Sequence, residues 1–189
     1  MSNFLDSFLS RFKLTFGKPS YPADSLTEPA QITQSKVLLI VYDPVMDKTS
    51  GTTLSEQQKW YRVSDLITGF MADMLEVTGG LVRYQIVERV DLDEFPAKTD
   101  GFRYTPQTYM DVLQRKTPPH MPQEVDYNAI LTKYNILQRV ARNEIDEVWV
   151  FGFPHAGFYE SIMGGPDAFW CNAQPLKNTS ASKRRFVVM

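Results

Sequence analysis

Apolar and polar residues follow one another along this chain in blocks with strand-like or helix-like spacing. Residues 37–41 are a continuous apolar run, which predicts a buried central strand. Residues 81–90 alternate apolar and polar side chains, which predicts a strand with one wetter face. Two further strands are predicted at 145–154, where the side chains are again strongly apolar, and at the closing segment 183–189.

Helical spacing occupies the stretches between these strands. Apolar residues of 63–75 recur at intervals of three and four, and Ser64 is the predicted N-cap of this helix. A short helix is predicted from Pro106. In 126–143 the apolar face is interrupted at Asn135, which predicts two short helices or one kinked helix, with Asp126 as N-cap. Loops are predicted for the polar segment 46–62 and the proline-rich segment 117–122.

The order strand, helix, strand, helices, strand, loop, strand predicts the fold class. It indicates an α/β layered domain at 36–189, with a mostly parallel central sheet flanked by helices. Residues 18–35 are rich in Pro, Ser and Thr and are predicted to be a linker. Residues 1–17 have amphipathic helical spacing. This helix is expected to dock on the domain or, alternatively, to contact a membrane surface through its apolar face.

Charge and residue counts exclude several classes of function. Among the 189 residues, 20 Lys and Arg stand against 22 Asp and Glu, so no basic field predicts nucleic-acid binding. No apolar run is long enough to predict a transmembrane segment. Asp6 and Ser10 interrupt the N-terminal apolar positions, so no signal peptide is predicted, and the compartment stays open.

Several site types are also missing from the sequence. The single cysteine excludes an internal disulfide and a CxxC site, and two histidines exclude a histidine-rich zinc site. There is no phosphate-binding P-loop, no GxGxxG motif after a strand and no GxSxG nucleophile elbow. No cofactor is evident, although a divalent metal on His155 plus carboxylates is an open alternative.

Chemically active residues follow the predicted strands at their carboxyl ends, where open parallel sheets bind ligands. Asp43 follows the first strand and His155 follows the third, with Glu160 shortly after it. Together they predict a carboxylate–imidazole site for acid–base chemistry. The alternatives are structural: Asp43 as a turn residue before a proline, and His155 as a loop residue bonded to backbone.

Glu160 has apolar and aromatic neighbours, which predict a buried carboxylate with a raised pKa. The alternative is a carboxylate at a helix N-terminus. Tyr159, Phe169 and Trp170 are candidates for a stacking surface that binds a ligand, or else for ordinary core. Cys171 could be a nucleophile only with His155 as its base, and a small buried hydrophobe is the alternative.

The segment IDEVWVFGFPHAGFYESIMGGPDAFWCN, residues 145–172, resembles a block found in a family of uncharacterised, often exported bacterial proteins. The block has the form DEVW-x-FG-x-P-x-x-GFYES-x-M-x-GP-x-AFWCN, and residues 87–105 and the closing RRFVVM are also similar to that family. The resemblance implies no activity and supplies no catalytic residues. It implies that related chains continue past Met189, so this chain is expected to be the N-terminal part of a larger domain. The first 35 residues depart from the family's usual export signal.

These observations predict a hydrolase of peptides or glycans, with its site at the carboxyl ends of the strands. Asp43, His155 and Glu160 would be acid–base groups or ligands. The first alternative is a non-catalytic module that binds a glycan or peptide through Tyr159, Phe169 and Trp170. The expected partner is, more generally, a small-molecule, peptide or glycan ligand. The second alternative is a fragment with no activity of its own.

Overall fold

The computed structural model describes residues 30–189. The predicted helix at 1–17, with its membrane-surface alternative, and most of the predicted linker at 18–35 lie outside the described residues. The strands of the described part are β1 Thr33–Tyr42, β2 Val45–Asp47, β3 Thr52–Thr53, β4 Val82–Leu92, β5 Glu147–Phe151, β6 Ile162–Gly164 and β7 Phe186–Val188. Its helices are α1 Leu54–Gln57, α2 Val63–Val77, α3 Pro106–Leu113, α4 Tyr127–Lys133, α5 Ile136–Ala141 and a 3₁₀ turn at Ser180–Ser182.

A sheet of five strands organises the described chain, in the order β4-β1-β5-β7-β6. β1 pairs in parallel with both β4 and β5, and β5 pairs in parallel with β7. Only β6, which the sequence pattern did not predict, runs antiparallel to its neighbour β7. The predicted α/β domain with a mostly parallel central sheet flanked by helices is therefore confirmed.

The continuous apolar run of β1 is explained by burial on both faces of the sheet. Leu38, Ile40 and Tyr42 belong to the larger core, which includes residues of α3, α4 and α5. Val37 and Val41 belong to a smaller core on the α2 side of the sheet. Since successive strand residues point to opposite faces, a central strand covered on both sides needs apolar residues at every position.

The helix boundaries agree with the sequence pattern except at one cap. Asp126 caps α4, because its carboxylate accepts a hydrogen bond from the Ala129 amide. Asn135 adopts a left-handed φ of 51° between α4 and α5, so of the two predicted alternatives the chain forms two short helices and not one kinked helix. The predicted N-cap Ser64 is wrong: α2 begins at Val63, because the carbonyl of Arg62 already accepts from the helix amides.

Two segments predicted to lack regular structure contain some. Residues 46–62 hold the β2–β3 hairpin and α1, and α1 is closed by a capping box between Thr53 and Glu56. A single buried side chain, Leu54, anchors it, so no apolar period could reveal it. β1 begins at Thr33, inside the predicted linker, because the Thr33 amide donates to the carbonyl of Leu81 in the neighbouring chain segment.

No helix in residues 30–189 is long and apolar enough to cross a membrane. This agrees, for the described residues, with the sequence-based expectation of no transmembrane segment.

Candidate functional site

The sheet topology creates a crevice between the carboxyl ends of β1 and β5. The crossover from β1 to β4 runs through α2, which packs on the smaller core, whereas the chain after β5 joins the larger core on the opposite face through Phe153 and Ala156. Neighbouring parallel strands whose connections diverge in this way leave a ligand-binding crevice at their carboxyl ends. The fold therefore marks this point as the candidate site before any side chain is considered.

A cleft of about 420 Å³ occupies this point, and we call it the switch-point cleft. Strands β1 and β5 and their following residues form its floor, and the residues between α1 and α2 form its wall. Its lining is Val41, Tyr42, Asp43, Ser55, Lys59, Trp60, Tyr61, Val63, Leu66, Phe151, Gly152, Phe153 and Pro154. Trp60 and Tyr61 are exposed by 40% and 81%, so their rings are available to a ligand.

Asp43 is the acidic group of this cleft. Its two carboxylate oxygens accept hydrogen bonds from the Ser55 amide at 2.8 Å and from the Ser55 hydroxyl at 2.6 Å. The carboxylate is thus held in one orientation, with its remaining lone pairs open to a further donor. Both of these bonds come from Ser55 of α1 and neither from the residues next to Asp43, so Asp43 does not form the turn of the sequence-based alternative. Burial raises the pKa of the neighbouring Tyr42, whose hydroxyl stays protonated at neutral pH.

A second, more polar compartment of about 500 Å³ continues the cleft toward β4. Asp43, Ser55, Lys59 and Trp60 line both compartments, so the two form one continuous space. The polar compartment adds Arg62, Arg89 and Asp91, among others. Arg89 and Asp91 form an ion pair of 2.7 Å with each other, so each of the two charges is compensated by the other.

His155 lies outside the lining of the switch-point cleft. Its side chain is exposed, and its backbone has a left-handed φ of 63°. The backbone carbonyl of His155 accepts a hydrogen bond from Lys98 Nζ at 2.6 Å. The structure therefore does not bring His155 and Asp43 together in this cleft, although both follow strands of the same sheet.

Glu160 is exposed and also lies outside the cleft, so the prediction of a buried carboxylate is wrong. Its position is a bend, not a helix N-terminus, and its carboxylate accepts from the Asn172 side-chain amide at 3.1 Å. Of the aromatic neighbours that suggested burial, Phe158 packs against the larger core and Tyr159 is itself exposed. Cys171 is half-buried, with its sulfur 3.1 Å from the Ser161 hydroxyl, and makes no hydrogen bond to His155 within the described chain.

The three aromatic candidates are exposed, so the alternative of ordinary core is wrong for them. Tyr159, Phe169 and Trp170 expose 42%, 55% and 62% of their surface. They do not stack on one another in the described structure. Tyr159 pairs with the buried Tyr127 ring, and Phe169 lies under the Arg185 guanidinium at 5.6 Å.

A buried lysine organises the segment that the sequence marked as chemically rich. Lys98 is 1% exposed, and its ammonium donates to the carbonyl oxygens of Gln123, His155 and Ala156 at 2.6–2.7 Å. Burial lowers the pKa of Lys98 to about 8. These three bonds connect the loop after β4, the strand-like residues before α4 and the loop after β5, so we call this arrangement the Lys98 clamp.

The residues of the cleft wall were missed because their segment has no apolar periodicity that would predict an element. The available signal was an aromatic pair, Trp60-Tyr61, in an otherwise polar segment directly before a helix. Lys98 gave no signal, since a single lysine in a polar loop is ordinarily solvated.

No group of three or more His, Cys, Asp or Glu side chains in residues 30–189 is arranged to hold a metal ion. Comparison with protein-family models, curated proteins and solved structures gives no match for this chain. The resemblance of residues 145–172 to a bacterial family stays a prediction.

Replacing His155 with asparagine is expected to change the free energy of unfolding by less than about 0.5 kcal/mol. The imidazole is exposed, and asparagine tolerates a left-handed φ. His155→Val keeps the exposure but places a β-branched residue at φ 63°, and should cost about 1–2 kcal/mol. Urea unfolding of both variants checks this. A large loss in His155→Asn would contradict it and show that the imidazole itself stabilises the fold.

Proposed function

We propose that this chain is a small-molecule-binding α/β domain whose ligand occupies the switch-point cleft. The supporting observation is that one cleft, at the carboxyl ends of β1 and β5, combines exposed aromatic rings with an oriented carboxylate. Ligand sites are mostly apolar concave surfaces with a few fixed polar groups, and they favour this place in α/β sheets.

The lining defines the chemistry of the ligand. Trp60 and Tyr61 offer exposed rings to a flat apolar body, and Phe151 and Phe153 add apolar surface to the same lining. An ionised carboxylate only accepts hydrogen bonds, so Asp43 selects a hydroxyl or amine on the ligand. Lys59 lines the same cleft, and since a lysine ammonium only donates, it favours an acceptor on the ligand.

Hydrolysis of a peptide or glycan bond, the activity predicted from the sequence, is a second candidate, and the position of Asp43 in the cleft favours it. In that reaction Asp43 would accept a proton from the attacking water and return it to the leaving nitrogen or oxygen as the scissile bond breaks. His155 and Glu160 lie outside the lining, so neither is given a step. Turnover of casein or of nitrophenyl glycosides that Asp43→Asn abolishes would support this candidate. Turnover that Asp43→Asn leaves unchanged would exclude Asp43 from it.

Titration with small aromatic probes tests the binding proposal. We expect phenol and aniline to shift the backbone amide signals of Ser55, Lys59 and Gly152 in ¹⁵N–¹H spectra, because these residues line the cleft. Trp60→Ala should weaken binding about tenfold through the loss of ring contact. Asp43→Asn should weaken the binding of phenol more than that of its methyl ether anisole, because anisole has no proton to donate to the carboxylate.

Trp170→Ala is the matched control, since Trp170 is an exposed tryptophan outside the cleft. This variant should leave the affinity for phenol and for aniline unchanged. Probe signals scattered over the surface, or equal losses in Trp60→Ala and Trp170→Ala, would overturn the proposal. Circular dichroism melting of each variant separates lost binding from lost folding.

A further inference from the structure

A second cavity, of about 420 Å³, lies apart from the switch-point cleft and shares no lining residue with it. Four segments build it: Thr99 in the loop after β4, residues 124–128 at the start of α4, residues 159–162 at and before β6, and residues 174–177. We call it the Tyr159 cavity, after the aromatic residue that forms its wall. Its size lies in the range of small-ligand sites.

The ring of Tyr159 pairs with a buried ring and is partly open to solvent. The Tyr159 amide donates to the Tyr127 hydroxyl at 2.8 Å, and the two rings are nearly parallel, with 9° between their planes and 6.4 Å between centroids. Tyr127 is buried, with its pKa raised to about 12 by that burial, whereas Tyr159 is 42% exposed. The backbone bond therefore fixes where the Tyr159 side chain begins, and the ring lies beside a buried ring with part of its surface free for a ligand.

Planar polar side chains surround the Tyr159 ring. Glu124, Asn128 and Gln174 line the cavity and are exposed, and their side chains make no hydrogen bond to another residue in the described part of the chain. Asp126 differs, because its carboxylate is occupied by the Ala129 amide. Glu124, Asn128 and Gln174 together offer a ligand carboxylate and amide acceptors and also amide donors.

We propose that the Tyr159 cavity binds a neutral sugar residue. The C–H face of a pyranose ring would stack on Tyr159, and its hydroxyls, each both donor and acceptor, would pair with Glu124, Asn128 and Gln174. Two carboxylates, Glu124 and Asp126, stand against one ammonium, Lys177, in the lining, so an anionic sugar is disfavoured. This site is separate from the switch-point cleft, and its ligand is independent of the proposed function.

Saturation-transfer NMR with the full chain tests this proposal, using maltotriose, cellotriose, chitotriose and mannotriose as probes. At least one of these neutral trisaccharides should give transfer to the protons of a single sugar ring. Tyr159→Ala should weaken binding of that trisaccharide at least tenfold. Gln174→Ala should weaken it several-fold without disturbing the fold, because the side chain that it removes is exposed. Trp170→Ala, another exposed aromatic residue outside the cavity, should bind the probe as the wild type does.

Absence of transfer from all four probes at 10 mM, a concentration at which even ~mM ligands are seen, would overturn the proposal. So would equal binding by wild type and Tyr159→Ala, or equal losses in Tyr159→Ala and Trp170→Ala, which would indicate unspecific contact with exposed rings. Binding of an unrelated tripeptide to this cavity in place of the sugars would assign it to peptides and equally overturn the proposal. Aniline titration of the same sample, which reports on the switch-point cleft, shows whether the two sites fail separately.

Discussion

Replacing Lys98 with methionine is expected to lower the free energy of unfolding by about 3–5 kcal/mol. The variant keeps most of the side-chain volume but leaves the carbonyl oxygens of Gln123, His155 and Ala156 without their donor in a site that is closed to water. Urea unfolding followed by circular dichroism measures the loss. Lys133→Met is the matched control, because the Lys133 ammonium pairs with Glu94 on an exposed surface, and it should cost less than about 1 kcal/mol. Equal losses in the two variants would contradict a structural role for the Lys98 clamp.

The effect of pH gives a second test of the clamp. Burial lowers the pKa of Lys98 to about 8, against 10.5 in an unfolded chain. Below pH 8 both states hold the proton, and between pH 8 and 10.5 the unfolded state alone holds it. The free energy of unfolding should therefore rise with pH across this window through Lys98, by up to about 3 kcal/mol. The neutral amine still donates two of its three hydrogen bonds.

Lys98→Met lacks this titration, so the stability difference between wild type and variant should widen from pH 8 to 10.5. Other groups that titrate in this window are common to both proteins and cancel in the difference. A constant or narrowing difference would contradict the expectation, and it would mean that the three carbonyl oxygens hold the ammonium in its charged form throughout.

Gly157→Ala is expected to destabilise the domain by about 4 kcal/mol or more. A Cβ at this position would overlap the Gln123 carbonyl oxygen and lie 2.7 Å from Lys98 Nζ. The backbone φ of 96° is also in a region that side chains with a Cβ rarely adopt. Relief of the overlap would separate the loop after β5 from Val125, whose amide donates to the Gly157 carbonyl at 3.0 Å.

Gly51→Ala is the control for the backbone contribution. Gly51 has a comparable φ of 73°, but a Cβ there meets no atom within 4 Å. Its cost should be about 1 kcal/mol, so the excess in Gly157→Ala measures the steric overlap alone. Thermal unfolding of both variants is sufficient. Similar melting temperatures would contradict the close packing of Gly157 in the clamp.

Local pattern was enough to predict the layered fold. The apolar run of β1 required burial on both faces, and the helical stripe of α2 required a sheet beneath it, so an α/β arrangement followed. The break between helices α4 and α5 was also encoded locally, by Asn135, whose short polar side chain tolerates a left-handed backbone. The predicted end of the first strand was enough to place Asp43 at the carboxyl end of β1, where the structure has the switch-point cleft.

The tertiary structure alone decided which of the candidate residues share a site. Asp43 faces a cleft whose wall, Trp60 and Tyr61, comes from a segment without periodicity, while His155 and Glu160 face solvent. Side-chain direction in a loop depends on contacts between distant segments, here on Lys98, which fixes the loop after β5 from 57 and 58 positions away along the chain. Sequence spacing determines strands and helices because their hydrogen bonds are local or repeat regularly. A site formed by loops depends on non-local contacts, and those exist only once the chain has folded.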